Sequence, residues 1–207
     1  MPLVYQQNIN LHSRLGVWHI MEEERFFLNK VRLQNGISHP HKRLQHLAGR
    51  YLLTELYEDF PLELILIAET RKPFLDNEVY HFSISHCGRY AAAIVSRENR
   101  VGVDIEVPHG KIVNVRHKFL KDTETQLLQD LPMPTERSLT LAWSIKEALF
   151  KWYGAGKVDF RGHMHIQEIV CANDQYIARC LFTKETPLQL NVHALFFNDN
   201  CLAWVVS

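Results

Sequence analysis

Apolar residues recur along this chain with two different periods, and the switches between them mark out its elements. Leu15, Val17, Trp18 and Ile20 form a compact apolar run that predicts a first strand over 15–20. Glu22, Glu23 and Glu24 follow, and acids favour the positive end of a helix dipole. They predict a helix that carries Phe26, Phe27, Leu28 and Val31 and is stopped by Asn35-Gly36. From Pro40, Leu44, Leu47, Ala48, Tyr51, Leu52 and Leu56 return at three- and four-residue spacing, the buried face of a second helix. Lys42, Arg43, His46 and Arg50 fall on its polar face. Residues 64–67 read as a short strand and Thr70-Arg71-Lys72-Pro73 as a turn with two cations. Residues 79–84 read as a strand, Ser85-His86-Cys87-Gly88 as a turn, and 90–96 as another strand.

The order then repeats. Val101-Gly102-Val103-Asp104-Ile105-Glu106 parallels residues 15–20 in its glycine and apolar pattern. A helix over 113–128 follows, then one over 135–153 that matches the earlier 42–57 helix and is ended by Gly154 and Gly156. Strands are expected at 164–171, 176–182, 188–197 and 201–207. The fold class is therefore α+β. Two pseudo-twofold-related halves, 1–99 and 100–207, are expected, each an antiparallel sheet packed with helices.

Composition narrows the function classes. Acidic and basic residues balance at 23 each, which argues against a general polyanion binder and so against nucleic acid as partner. The longest apolar run, near 62–68, contains Glu63 and is too short to span a bilayer. The N-terminus has no basic stretch followed by an apolar core. Four cysteines include no Cys-x-x-Cys pair, and twelve histidines show no zinc spacing. A cytoplasmic protein with free thiols and no membrane partner is expected.

Chemistry concentrates in a few stretches. In a strand, Asp104 and Glu106 project from one face, where two acids repel unless a cation sits between them. Taken alone, Asp-x-Glu also fits a solvated strand edge. On the 135–153 helix, Trp143, Glu147 and Lys151 share a face at i, i+4 and i+8, although a Glu–Lys pair at that spacing is also common on solvated surfaces. Asp104, Glu106 and Glu147 together make a hard-oxygen set suited to Mg²⁺. Lys151 lies where it can neutralise a phosphate. Ser85-His86, Arg71-Lys72-Pro73, Lys30 and Arg32 are further groups able to face a polyphosphate; for His86 a local turn role, and for Lys30 and Arg32 a solvated helix end, stand beside that.

These stretches together resemble the 4'-phosphopantetheinyl transferases, in particular the larger, two-halved class typified by the surfactin-synthetase activator. The resemblance lies in Gly102-Val103-Asp104-Ile105-Glu106, in Trp143-Ser144-Ile145-Lys146-Glu147-Ala148-Leu149-Phe150-Lys151, and in Ser83-Ile84-Ser85-His86-Cys87-Gly88. Arg71-Lys72-Pro73 and Ala48-Gly49-Arg50 add to it. It implies Mg²⁺-dependent transfer, with Mn²⁺ as a possible substitute. The phosphopantetheine arm of coenzyme A moves to a serine of an apo acyl or peptidyl carrier protein, and 3',5'-ADP is released. By the resemblance Asp104, Glu106 and Glu147 hold the metal and pyrophosphate, and Glu147 and Lys151 are catalytic. Arg32, Lys72, Ser85 and His86, with Arg50 and Arg71, hold the nucleotide end of coenzyme A, which Asp104 and Lys151 also contact. The serine proton goes to Glu147 or to a metal-bound water, and the sequence leaves both open. A monomer is implied, with the carrier near Lys111, Arg116, Lys118 and Lys121, a cluster that also reads as a solvated helix face. Arg71 stands where the family has glycine, Ser83 where it has Asn, and Cys87 where Ser is common. A module that binds coenzyme A or a carrier without turnover is the rival reading, and a Mg²⁺-dependent phosphohydrolase a third.

Overall fold

The computed structural model describes residues 2–33 and 36–207. It divides into two compact units, Met1–Val101 and Gly102–Ser207, each with its own hydrophobic core.

In the first unit an antiparallel sheet has the order β1-β2-β6-β5, formed by Leu3–Asn8, Ser13–His19, Tyr90–Ser96 and His81–Cys87. β3 (Leu66–Ile67) and β4 (Pro73–Phe74) make a separate small ribbon. The strand β1 was not expected. Its alternating polar pattern, with every second residue exposed, gives an edge strand with little apolar signal. The first helix, α1 (Glu24–Leu28), is shorter than expected, and Asn35 of its expected stop lies outside the described residues. The second helix, α2 (Pro40–Leu56), forms over the predicted span. Its apolar face, Leu47, Leu52, Leu53 and Leu56, is fully buried against β2 and β6. Of residues 64–67, expected as one strand, only Leu66 and Ile67 form β3, while Leu64 ends a 3-10 turn that begins at Leu62.

The expected turn at Ser85-His86-Cys87 is a correction. β5 runs through Cys87, which pairs with Tyr90, and the reversal falls on Gly88 and Arg89. Gly88 takes φ +53, the left-handed region that glycine reaches without a Cβ penalty. Arg71 stands at φ +67 without that freedom, so the turn ahead of Lys72 carries backbone strain that a glycine would relieve.

In the second unit the sheet order is β7-β11-β10-β9-β8, from Val101–Glu106, Asn200–Val206, Leu188–Phe197, Gln175–Phe182 and Met164–Ala172. The single helix expected over 113–128 is broken. It consists of α3 (Ile112–Val115), a 3-10 turn at Arg116–Lys118, and α4 (Asp122–Gln129). Phe119 and Leu120 turn inward between them and are buried, and Glu124 caps α4 by accepting from the Lys121 amide at 2.8 Å. The long helix α5 (Thr135–Tyr153) packs on β11 and β10 and ends on Gly154 at φ +74. The short α6 (Phe160–His163) leads into β8 and is capped by Asp159. In each unit the opening strand of the expected repeat, β2 or β7, bonds to the final strand, β6 or β11, and the long helix lies over the sheet. The four cysteines are free thiols.

Candidate active site

β7 and α5 build the acidic part of the site. A Cβ on Gly102 would lie 2.0 Å from the Ala148 carbonyl oxygen and 2.7 Å from the Trp152 nitrogen, so only glycine lets the strand press this closely on the helix. Gly102, Asp104 and Glu106 share the face thus pressed, while Val101, Val103 and Ile105 are buried on the other. Asp104 is 4% exposed, which rules out the solvated strand edge. The Lys151 ammonium donates to its Oδ1 at 2.7 Å. Glu106 lies half-buried at the strand's end, and its Oε1 accepts from the Val107 amide at 3.2 Å. Burial pushes the Glu147 carboxyl up to about 7; Lys151 pulls it back, and the negative charges of Asp104 and Glu106 push it up further.

Asp104, Glu106 and Glu147 are thus electrostatic neighbours. They are not an assembled metal cage: among the described residues no three His, Cys, Asp or Glu side chains stand at ligating spacing, and Lys151 holds one Asp104 oxygen. Their donor chemistry nevertheless fits Mg²⁺, because all three offer hard oxygens and a cation would relieve the mutual repulsion that Glu147 feels.

Lys146, the residue before Glu147, has no exposed side-chain area. Its ammonium meets Glu124 Oε1 at 2.7 Å, the Phe119 carbonyl at 2.5 Å and the Phe160 carbonyl at 3.1 Å. Glu124 Oε1 also accepts from the Ile166 amide at 2.9 Å. Burial lowers the Lys146 pKa, and Glu124 opposes that. The sequence places this residue in the Trp143–Lys151 stretch without giving it a role, although its neighbours at i±3 and i±4, Ala142, Trp143, Leu149 and Phe150, are all apolar. A lysine so placed needs a buried partner. Beside it, Phe119, Trp143 and Phe160 line a recess of about 460 Å³.

The other cationic candidates lie in the first unit. A Cβ on Gly49 would come within 2.6 Å of Ile84 Cγ2, so α2 and β5 approach closely there. Gln45 donates to the Gly88 carbonyl at 2.9 Å, tying α2 to the end of the β5–β6 hairpin. This brings His46 and Arg50 near His86. Arg50 Nη1 lies 3.0 Å from His46 Nδ1 and is buried rather than on a polar surface. Burial, with Arg50 and His86 close by, holds the His46 pKa down to about 4, and burial brings Arg50 down to about 10. Residues 85 and 86 do not act side by side. In a strand they face opposite ways, and Ser85 is buried while His86 is exposed. The Lys72 ammonium is held down to about 8 by burial, with Arg100 nearby. Arg32 and Arg71 are exposed and form no ion pair among the described residues. Helical spacing places His46 only on the polar face of α2; the glycine of Ala48-Gly49-Arg50 is the sequence signal that this part of α2 comes close to β5.

No helix among the described residues is long and apolar enough to cross a membrane. The enterobactin synthase component D of Salmonella austin is 34% identical over 111 residues, 53% of this chain and 47% of the relative. That of Escherichia coli O157:H7 is 35% identical over 113 residues, 53% of this chain and 54% of the relative. That of Escherichia coli strain K12 is 35% identical over 117 residues, with the same shares. The chain spans about half the length of the curated relatives it matches. The sequence model of the 4'-phosphopantetheinyl transferase superfamily matches residues 100–205, the span that holds β7, α5 and their acidic cluster. With half of its residues under that match, the chain belongs to the 4'-phosphopantetheinyl transferase superfamily.

Proposed function

We propose that this protein transfers the 4'-phosphopantetheine arm of coenzyme A to a serine hydroxyl of an apo carrier protein and releases 3',5'-ADP. The observation that carries the reading is the Lys151–Asp104 pair at 2.7 Å with Glu147 and Glu106 beside it, inside the span matched by the family. Asp104, Glu106 and Glu147 would hold Mg²⁺ or Mn²⁺. That ion supplies charge neutralisation on the pyrophosphate when bound.

This chain's own residues have the following tasks. Lys151, oriented by Asp104, stabilises negative charge on the transferring phosphoryl group. Glu147, one helical turn before Lys151, takes the proton of the incoming serine. Lys72, His86, Arg50 and His46 bind the nucleotide end of coenzyme A, and Ser85, Arg71 and Arg32 are weaker members of that set. The two units correspond to a nucleotide side and a metal side of a two-halved transferase that works as a cytoplasmic monomer. The carrier belongs to a synthase of the kind that the relatives' name denotes.

Incubation with coenzyme A, Mg²⁺ and an apo carrier, followed by mass measurement of the carrier, tests this. The carrier should gain one phosphopantetheine increment, and chelation should abolish the gain. Coenzyme A binding with no modified carrier in any tested set would favour a binding module instead. Release of 3',5'-ADP without a carrier would favour a phosphohydrolase.

A further inference from the structure

Lys146 and Trp143 lie three residues apart, on adjoining turns of α5, and both act on the same two residues. The Trp143 ring meets the Phe119 ring edge-on at 5.1 Å and stacks on the Phe160 ring at 5.4 Å. The Lys146 ammonium bonds the backbone carbonyls of Phe119 and Phe160. Glu124 then extends the grip to the start of α4 and to β8 through the Lys121 and Ile166 amides. A buried ion pair of this kind is seldom more stabilising than an apolar replacement of equal volume. What it adds is direction. Three fixed acceptors around one ammonium resist rotation of α5 about its axis, and Gly102 presses on the same helix further along. Glu147 is the next residue in the chain, so its aim toward the Asp104 face depends on that rotation.

We propose that Lys146 is a positioning residue for the transfer reaction: through Glu124 and the Phe119 and Phe160 carbonyls it fixes the azimuth of α5 and so the aim of Glu147 and Lys151. The proposal rests on the transferase reading of the site. It assigns Lys146 no contact with substrate.

The 207-residue chain is compared with Lys146→Met and with Lys146→Met/Glu124→Gln, the second removing both charges so that no buried carboxylate loses its cation. The double variant should stay folded with a Tm lowered by about 5–15 °C, since one of the two amides that donate to Glu124 and the Phe119 and Phe160 carbonyls lose a partner. Its kcat should fall about 10- to 100-fold as the reacting groups lose alignment, with the KM for coenzyme A unchanged. Amide exchange over 116–121 and 158–163 should quicken. Parental kcat in the folded double variant overturns the proposal. So does a joint fall of kcat, coenzyme A affinity and Tm, or failure of the double variant to fold, since either leaves Lys146 a stabilising role only. If the parent itself transfers nothing, the transferase reading falls. The exchange comparison still decides the anchoring, and unchanged exchange overturns it.

Discussion

Gly102 and Ala148 stand closer than any residue with a side chain would permit, for a Cβ at 102 would sit 2.0 Å from the Ala148 carbonyl oxygen. The obstacle is helix backbone, which cannot rotate aside. Gly102→Ala should therefore destabilise the chain by about 3 kcal/mol or more, seen as a lower urea midpoint, and should abolish transfer. Gly49→Ala meets a side-chain methyl group of Ile84 instead and should cost only about 1–2 kcal/mol. Equal effects at the two positions would contradict this account of β7.

The Lys151–Asp104 pair joins a largely buried carboxylate to a partly exposed ammonium. Lys151→Met takes the ammonium away from the largely buried Asp104 carboxylate, whereas Lys151→Met/Asp104→Asn removes both charges. The single variant should be the less stable of the two by about 1–3 kcal/mol in denaturant titrations. Both should lose about 100-fold or more in turnover, because each lacks the cation at the phosphoryl group. Turnover restored in the double variant would remove Lys151 from the chemistry.

His46 is held neutral in the folded chain, with a pKa of about 4 against an ordinary 6.5. Between those values the unfolded chain binds more protons, so stability falls as the pH drops from 6.5 toward 4. By pH 5 the loss should be about 1 kcal/mol, roughly half the full linkage value because the ring is only partly buried. His46→Gln should flatten this part of the stability–pH curve. An unchanged slope would place the acid sensitivity elsewhere.

Lys72 deprotonates at about 8, below the usual lysine range. Only its protonated form attracts phosphate, so coenzyme A affinity should decline as the pH rises through about 8. Lys72→Arg keeps its charge over that range and should remove the decline. Calorimetric titration at pH 7 and pH 9 checks both, and a parent affinity flat across that interval would show that Lys72 does not face the ligand.

Much of the scaffold was legible from periodicity. α2 and α5 each bury one apolar stripe over many turns, and that repetition left their spans little room to move. The edge strand β1 escaped notice because half of its residues face outward. The expected 113–128 helix failed at Phe119 and Leu120. Their burial and the Glu124 cap favour a break that helical periodicity does not encode.

By itself the sequence determined the kinds of groups available and their order: Asp104 and Glu106 on one strand face, Glu147 and Lys151 on one helix face, and a family signature around both. Period and chemistry are local, and so can be read from neighbours in the chain. Only the tertiary structure decided what each group meets. It gave Asp104 to Lys151, buried Lys146 among two carbonyls and Glu124, and set His46 near His86. The first and last of those pairings depend on how closely helix and strand approach, and two glycines, Gly102 and Gly49, set that distance by the side chain they lack.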